Sequence, residues 1–258
     1  MLSPETCARD LVEARRSLTV LDPSSGSGRP TSLNEGYAIQ RVATQQWDDE
    51  IAGWKVGATA REIQKLFGIS ECIYGPVFEK TVFRSPAHLS SAQFHHRMLE
   101  SEFAFQFCKD LPPRQRPYDR EEIIDAVDAL FPSFEIVSPR FPRLTIDDIP
   151  QLVADFCANG GAVLGTACSE WKACDLAAHR VELWIGGSLR QAGSGASVIG
   201  DPLNALEWMV NVLRARGLSI ARGQFVLTGT TTGIHTPAID EKAIAEFGEF
   251  GRVELVFE

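Results

Sequence analysis

The alternation of residue types along segment 98–108 places the strongest constraint on the fold of this chain. Side chains of a β-strand point in turn to opposite faces of a sheet, so residues two apart share a face. One face then carries Ser101, Phe103, Phe105 and Phe107, and the other carries Glu100, Glu102, Ala104 and Gln106. The pattern predicts a strand with an aromatic face and two carboxylates side by side on the reverse.

Helical spacing of apolar residues dominates the beginning of the chain, and strand patterns dominate the rest. The predicted helices cover 4–17, 32–48, 60–66, 120–130, 147–157 and 202–217. The predicted strands cover 54–59, 98–108, 131–137, 160–165, 181–185, 188–192, 224–229 and 251–257. This order indicates the α+β class rather than alternating βαβ units. We expect residues 1–70 to form an N-terminal helical region and residues 71–258 to form a β-rich domain with the candidate site, the two being one integrated unit.

Charge and cysteine usage exclude several classes of protein. The 258 residues hold 25 Lys and Arg against 34 Asp and Glu, a net charge of −9 that opposes binding to nucleic acid or an anionic membrane. The six cysteines form no CxxC pair, which argues against a zinc site. The N-terminus lacks the pattern of a signal peptide, and no apolar run reaches membrane length. We therefore expect a cytoplasmic protein.

Three glutamates are candidate metal ligands. Glu100 and Glu102 share a strand face, and Glu135 lies between Phe134 and Ile136, where an unpaired carboxylate is costly. Three carboxylates without a histidine at ligand spacing favour a hard cation, Mg²⁺ or Mn²⁺. The alternative is that Glu100 and Glu102 lie on the solvated face of an amphipathic strand.

Lys55 is a candidate catalytic residue. Trp54 and Val56 flank it, and such apolar neighbours can desolvate an ammonium group and lower its pKa. A lysine of this kind can orient or protonate an enolate. The alternative is a surface lysine on an edge strand, where it would oppose aggregation.

Other polar residues are weaker candidates. Segment 229–233 reads as a loop whose hydroxyl and N–H groups could hold a substrate carboxylate, and His235 follows it. His95 and His96 precede the acidic strand, but adjacent residues of a strand point apart. Nucleotide-binding loops, the nucleophile elbow and the dinucleotide fingerprint are missing from the sequence, which argues against kinases, serine hydrolases and dehydrogenases.

Six groups of residues resemble, in order, motifs of one enzyme family. They are GWKVGAT at 53–59, YGP at 74–76, ESEFAF at 100–105, FEIV at 134–137, AD at 154–155 followed by the glycine-bounded segment 160–165, and GDPLNA at 200–205 followed by LTG at 227–229. Together they resemble the 2-keto-4-pentenoate hydratase branch of the fumarylacetoacetate hydrolase superfamily. The resemblance runs from about residue 30 to the C-terminus.

The resemblance implies a mixed β-roll or sandwich core behind the N-terminal helical region, and a homo-oligomer. It implies that Glu100, Glu102 and Glu135 hold Mg²⁺ or Mn²⁺ without an organic cofactor, and that Lys55 is the active-site lysine. Residues expected to contact a small 2-oxo acid substrate are Tyr74, Asp155, Thr228 and Gly229. The implied reaction, a step in aromatic breakdown, is addition of water to a 2-hydroxy-2,4-dienoate.

The chain departs from the family pattern at three places. Ile73 replaces an aspartate usually taken as an acid or base, Phe156 replaces an asparagine, and Ser138-Pro139-Arg140 replaces Asp-Ser-Arg. Candidate substitutes for the missing group are Asn159, His95 and Glu79. These departures leave three alternatives open: a 4-oxalocrotonate (2-oxo-3-hexenedioate) decarboxylase, a C–C hydrolase of acylpyruvates, and a non-catalytic 2-oxo acid binding protein.

Overall fold

The structure, a computed structural model, describes residues 3–21, 29–142 and 148–258, and the bounds below refer to these residues. The helices are α1 Pro4–Arg16, α2 Leu33–Gln46, α3 Arg61–Leu66, α4 Arg120–Asp125, α5 Ile149–Ala154 and α6 Pro202–Ala215. The strands are β1 Ile51–Gly57, β2 Ile73–Phe78, β3 Val82–Arg84, β4 Ala87–Leu89, β5 Met98–Phe107, β6 Val127–Val137, β7 Asn159–Leu164, β8 Arg180–Ile185, β9 Ser188–Ser194, β10 Phe225–His235, β11 Lys242–Glu246 and β12 Arg252–Phe257. None of these helices is long and apolar enough to cross a membrane.

Two mixed sheets form the core, and the predicted α+β class is confirmed. The larger sheet has the order β2-β1-β10-β5-β6-β7-β3, and the smaller has the order β4-β12-β11-β8-β9. Strand β1 runs parallel to β10, whereas β5 is antiparallel to both of its neighbours, β10 and β6. Strand β5 is therefore central in the larger sheet.

Both faces of β5 are covered. Phe103 and Phe105 pack in the largest hydrophobic cluster, where their rings meet Phe247 and Trp171. On the opposite face, Ala104 packs in a separate cluster with residues of β2, β6 and β10. The predicted alternation is present, but neither face is solvated.

The N-terminal helices pack on each other and on the edge of the larger sheet. Helix α1 begins after Ser3, whose hydroxyl accepts the N–H of Thr6, and Pro4 occupies its first turn. Its residues Leu11 and Val12 share a cluster with Ile39 of α2. Strand β1, which lies within the region expected to be helical, is an inner strand of the larger sheet. The division at residue 70 stays a prediction.

Tertiary pairing changes several predicted boundaries. The helix predicted over 120–130 ends at Asp125, because residues from Val127 onward pair with β5 as β6. The loop predicted over 229–233 is wrong: these residues continue β10, with register shifts on either side of Thr230. Of the helix predicted over 147–157, residues 149–154 are α-helical, and Asp147 lies outside the described residues.

The sequence patterns do not predict strands β2, β3 and β4. Strand β2 contains Pro76, a residue usually confined to the edges of sheets, and β2 is indeed the outermost strand on its side. Strands β3 and β4 have three residues each, too few for a recognisable alternation.

Candidate active site

Three glutamates meet at the centre of the larger sheet. Glu100 and Glu102 lie on β5, and Glu135 on β6 pairs directly with Glu100. One carboxylate oxygen of each lies within 4.8 Å of the others. Glu102 and Glu135 are completely buried, and Glu100 keeps 9% of its surface. Burial to this degree contradicts the alternative of a solvated strand face.

Neighbouring donors satisfy only some oxygens of this cluster. The backbone N–H of Gly229 donates to Oε2 of Glu102 at 2.8 Å, and the side-chain amide of Asn159 donates to Oε1 of Glu135 at 3.0 Å. Among the hydrogen bonds of the described residues, Oε1 of Glu102 and Oε2 of Glu135 have no partner although both are buried. Buried carboxylate oxygens without donors are expensive unless they bind a cation. The residues therefore fit a divalent metal ion, which is held through oxygen ligands.

Burial and mutual repulsion make the glutamates difficult to ionise. Burial, and then the charge of Glu135, raises the pKa of Glu100 to about 7. The same two causes raise the pKa of Glu102 well above its usual range. A divalent cation would reverse both effects, because it favours the charged form of each ligand.

Lys55 lies beside the triad. Its Nζ is 3.1 Å from Oε1 of Glu135, and the residue is 4% exposed. Strand β1 lies between β2 and β10, so the edge-strand alternative is wrong. The expected lowering of the pKa is also wrong: burial acts in that direction, but Cys157, Glu135 and the other two glutamates outweigh it and raise the pKa of Lys55. Lys55 is thus a cation held against the acidic cluster.

A left-handed turn at 156–158 lies beside Lys55. Phe156, Cys157 and Ala158 have φ values of 51°, 55° and 61°. Such angles cost roughly 1–2 kcal/mol for each non-glycine residue, so neighbouring contacts must hold them. The thiol of Cys157 lies near the ammonium group of Lys55, and burial raises the pKa of this thiol to about 12. Gly75 of β2 passes so close that a Cβ there would lie 2.3 Å from the carbonyl oxygen of Phe156.

Arg15 of helix α1 clamps both ends of this turn. Its Nε donates to Oδ1 of Asp155 at 2.6 Å, and its terminal nitrogens donate to the backbone oxygens of Asp155 and Asn159 at 2.8 Å each. The other oxygen of Asp155 accepts the N–H of Arg140 at 2.6 Å. Asn159, one end of the clamped turn, is the residue that donates to Glu135. Helix α1 therefore supports the acidic cluster from a distance.

A cavity of about 640 Å³ opens beside the triad and is bordered by Lys55, Glu100, Cys157 and Gly229. Thr228 and Tyr74 do not border it: the Thr228 hydroxyl donates to the carbonyl of Phe103, and the Tyr74 ring stacks on Tyr37 at 4.6 Å. Asp155 also lies outside the described lining, engaged by Arg15. The roles expected for these residues stay predictions.

The candidate substitutes for the missing acid or base lie in different parts of the structure. Asn159 contacts the triad, whereas Glu79 is exposed at the start of a short 3₁₀ turn. His95, His96 and His235 are not among the described residues that border the cavity. The ring of His96 instead contacts the carbonyl of Phe141.

Two features of the site were not found from the sequence. The sequence shows Cys157 only as one of six cysteines without a CxxC pair, and it does not indicate Ile63 and Phe67, which border the cavity beside α3. Cys157 and Lys55 belong to segments that are far apart in the sequence, so local periodicity does not predict their contact. Only its position in the sequence indicates a role for Cys157, because it lies between Asp155 and Gly160, within one of the six motifs.

Replacing Arg15 by Ala should destabilise the protein by about 3 kcal/mol, since Asp155 would become a buried charge without its partner. Equilibrium unfolding in urea measures this change. Arg16→Ala is the matched control, because neighbouring Arg16 is exposed and donates only to the carbonyl of Gln46. Equal effects of the two substitutions would contradict the clamp.

Replacing Glu102 by Gln should stabilise the protein in EDTA, because a neutral amide replaces a carboxyl group whose ionised form is opposed by burial and by its acidic neighbours. It should also abolish the stabilisation by metal, which for the wild type is about 2.7 kcal/mol at a concentration one hundred times the Kd. Thermal unfolding with and without Mg²⁺ tests both changes. Exposed Glu79→Gln should behave as the wild type, and a Mg²⁺ response retained by Glu102→Gln would exclude Glu102 as a ligand.

Comparison with known proteins identifies relatives over most of the chain. No protein-family model matches the sequence. The chain is 28% identical to a 2-keto-4-pentenoate hydratase of Paraburkholderia xenovorans, over 87% of this chain and 84% of the relative. It is also 28% identical to a 2-hydroxyhexa-2,4-dienoate hydratase of Comamonas testosteroni, over 88% of this chain and 86% of the relative.

Among solved structures, the fold is similar to 4-oxalocrotonate decarboxylase of Pseudomonas putida G7 in complex with magnesium and adipate. The TM-score is 0.89 at 20% identity, over 100% of this chain and 99% of the other. Sequence and fold thus agree with the six motifs. The sequence is similar to those of the hydratases named above, as the resemblance of the motifs implies, and the fold is similar to that of the decarboxylase.

Proposed function

We propose that this chain is a divalent-metal-dependent hydro-lyase, which adds water to a small 2-hydroxy-2,4-dienoate through its 2-oxo-enoate form. The observation that carries the proposal is the buried triad, in which two carboxylate oxygens lack any described protein partner beside an open cavity. The hydratase names of the relatives support the same reaction. The cysteines of the described residues form no disulfide bond with one another, which supports a reducing location such as the cytoplasm.

Mg²⁺ or Mn²⁺ is the proposed cofactor, with Glu100, Glu102 and Glu135 as its ligands. Carboxylate oxygens suit these hard cations, and the described ligand set contains neither a thiolate nor an imidazole. When bound, the cation supplies a Lewis acid that polarises the 2-oxo group of the substrate and stabilises the enolate charge.

Lys55 places a positive charge between the triad and the cavity. An ammonium group there can donate a hydrogen bond to a developing enolate oxygen, because Lys55 borders the cavity and its Nζ contacts Glu135. The turn at 156–158 and strand β10 enclose the same space from two other sides. These walls would orient the planar diene and limit the entry of water.

The proposed reaction balances without an organic cofactor. The dienol loses its hydroxyl proton and gains a proton at C5, which gives the conjugated 2-oxo-3-enoate. Water then adds its oxygen to C4 and a proton to C3, and the product is a 4-hydroxy-2-oxo acid. The chain must therefore move protons at the far end of the diene as well as at the enol oxygen.

Two of the expected substrate residues are assigned indirect roles. We assign Asp155 to holding the turn at 156–158, since both of its oxygens are engaged by Arg15 and Arg140. We assign Tyr74 to packing beside the site, because its ring stacks on Tyr37 and Arg216 lies over it. Gly229 remains the proposed substrate-contacting residue, because its backbone borders the cavity.

A decarboxylase is the second candidate. The fold is similar over its whole length to 4-oxalocrotonate decarboxylase, and the same metal enolate would stabilise the carbanion that remains when CO₂ leaves. The two candidates differ in product: a hydratase adds water and releases no CO₂.

Incubation with 2-hydroxypenta-2,4-dienoate and Mg²⁺ should consume the dienoate, and EDTA should stop this consumption. Ultraviolet absorbance follows the loss of the conjugated diene, and NMR identifies the expected 4-hydroxy-2-oxopentanoate. Loss that is insensitive to EDTA would contradict the metal-dependent mechanism. Release of CO₂ from 4-oxalocrotonate, without hydration of the pentadienoate, would favour the decarboxylase.

Replacing Lys55 by Met should lower kcat by about 10²–10⁴-fold, the range typical of a lost proton donor or acceptor. Affinity for Mg²⁺ should stay equal or increase, since a positive charge 3.1 Å from Glu135 is removed. Steady-state kinetics and metal titration measure the two effects separately. Lys80→Met, at an exposed lysine, is the control. Activity of Lys55→Met within a few-fold of the wild type would remove Lys55 from the reaction.

A further inference from the structure

We infer that the cavity selects 2-oxo acids whose distal end is an uncharged apolar group, and discriminates against dicarboxylic substrates. This inference rests on the proposed function in one respect, that the 2-oxo acid end of the ligand lies at the triad. It goes beyond that function because it specifies the end of the substrate that does not react.

The charged residues of the cavity lie at one end. Of the described residues that border it, only Lys55 and Glu100 carry an amino or carboxyl side chain, and both belong to the site around the triad. The ligand's own carboxylate and 2-oxo group would occupy this end. A second carboxylate farther along the cavity would find no described cation, and a buried unpaired carboxylate is costly.

The remainder of the cavity is lined largely by apolar side chains. Ile63 and Phe67 border it on the α3 side, and Met98, Val137 and Leu152 border it from the sheet and α5. Ile73, where the family pattern has an aspartate, also borders the cavity and is 2% exposed. The position that would bring an acidic group into this space is therefore apolar in this chain.

Helix α3 leaves apolar surface uncovered at the rim of the cavity. None of its six residues is buried, and Ile63 is 37% exposed. Ile234, on the β10 side of the same cavity, is 54% exposed. An apolar ligand tail that reaches these side chains would cover part of their exposed surface, and the hydrophobic effect would favour its binding.

The threonines of β10 are poorly suited to bind a second carboxylate. The hydroxyl of Thr231 donates to the carbonyl of Ser101, and that of Thr230 donates to the carbonyl of Gly233. Thr232 is engaged with the hydroxyl of Ser101 at 3.0 Å. Their hydrogen-bonding capacity is largely used within the protein, so they do not provide a built anion site.

The size of the cavity supports a substantial tail. A volume of about 640 Å³ lies within the range of pockets that bind drug-sized ligands. A five-carbon acid would fill only a fraction of this space. We therefore expect affinity to increase as methylene groups are added beyond the enoate.

Calorimetric titration of the Mg²⁺-loaded protein with saturated 2-oxo acids tests the inference without turnover. The matched ligands are 2-oxoheptanoate and 2-oxoheptanedioate, which differ only by a terminal methyl group and a carboxylate. The monoacid should bind at least 100-fold more tightly than the diacid, and about tenfold more tightly than 2-oxopentanoate. Equal or tighter binding of the diacid would overturn the inference, as would the absence of binding by either acid.

A cation placed in the apolar region should reverse some of this preference. Ile63→Arg should improve binding of 2-oxoheptanedioate at least tenfold relative to 2-oxoheptanoate. Leu66→Arg is the matched control, since Leu66 lies on the same helix and is 54% exposed but does not border the cavity. An equal gain in both variants would show a general effect of protein charge and would contradict a tail site at Ile63.

The outcomes separate this inference from the proposed function. A protein that prefers the monoacid but fails to hydrate any dienoate would retain the inferred specificity and lose the proposed reaction. A protein that hydrates the pentadienoate but binds the diacid as tightly as the monoacid would retain the reaction and lose the specificity.

Discussion

Repulsion among three buried carboxylates is the interaction on which this structure depends. Each donor that offsets it comes from a different strand of the sheet: Lys55 from β1, Gly229 from β10 and Asn159 from the start of β7. Strands β1 and β6 are separated by two others, a span of about 14 Å in a flat sheet. Lys55 and Glu135 nevertheless lie 3.1 Å apart. The long side chains of Lys55 and Glu135 therefore reach toward each other across the intervening strands β10 and β5.

The N-terminal helices complete this site although they contribute no residue to it. Three successive left-handed residues at 156–158 would not persist alone, and Arg15 of α1 fixes both ends of that turn. The ring of Phe156 packs under the same guanidinium and against Phe78 of β2. Phe156, which replaces the asparagine of the family pattern, therefore anchors the turn to the helices. Its described contacts hold the fold together and do not reach the cavity.

The sequence predicted features that depend on local spacing, and it failed where distant segments meet. Glu100 and Glu102 could be placed side by side because strand periodicity is local. The pairing of Glu100 with Glu135 depends on the register of β5 and β6, which spacing alone does not specify. The pKa of Lys55 was predicted in the wrong direction for the same reason, since Trp54 and Val56 are visible beside it but the carboxylates are not. Likewise, the polar run 229–233 pairs with β5 and so becomes a strand.

Ile73 affects both the proton transfer that the site can perform and its specificity for the substrate tail. An aspartate there would bring a titratable group to the cavity, and its replacement leaves Lys55, Glu100 and Cys157 as the titratable side chains on the described lining. Glu100 is a proposed metal ligand, and burial keeps Cys157 protonated with a pKa of about 12. Proton transfer at the diene then falls to Lys55 or to a water molecule in the cavity. Ile73 also adds to the apolar lining of the cavity. The loss of an acidic group and the more apolar site for the substrate tail therefore both result from this one residue.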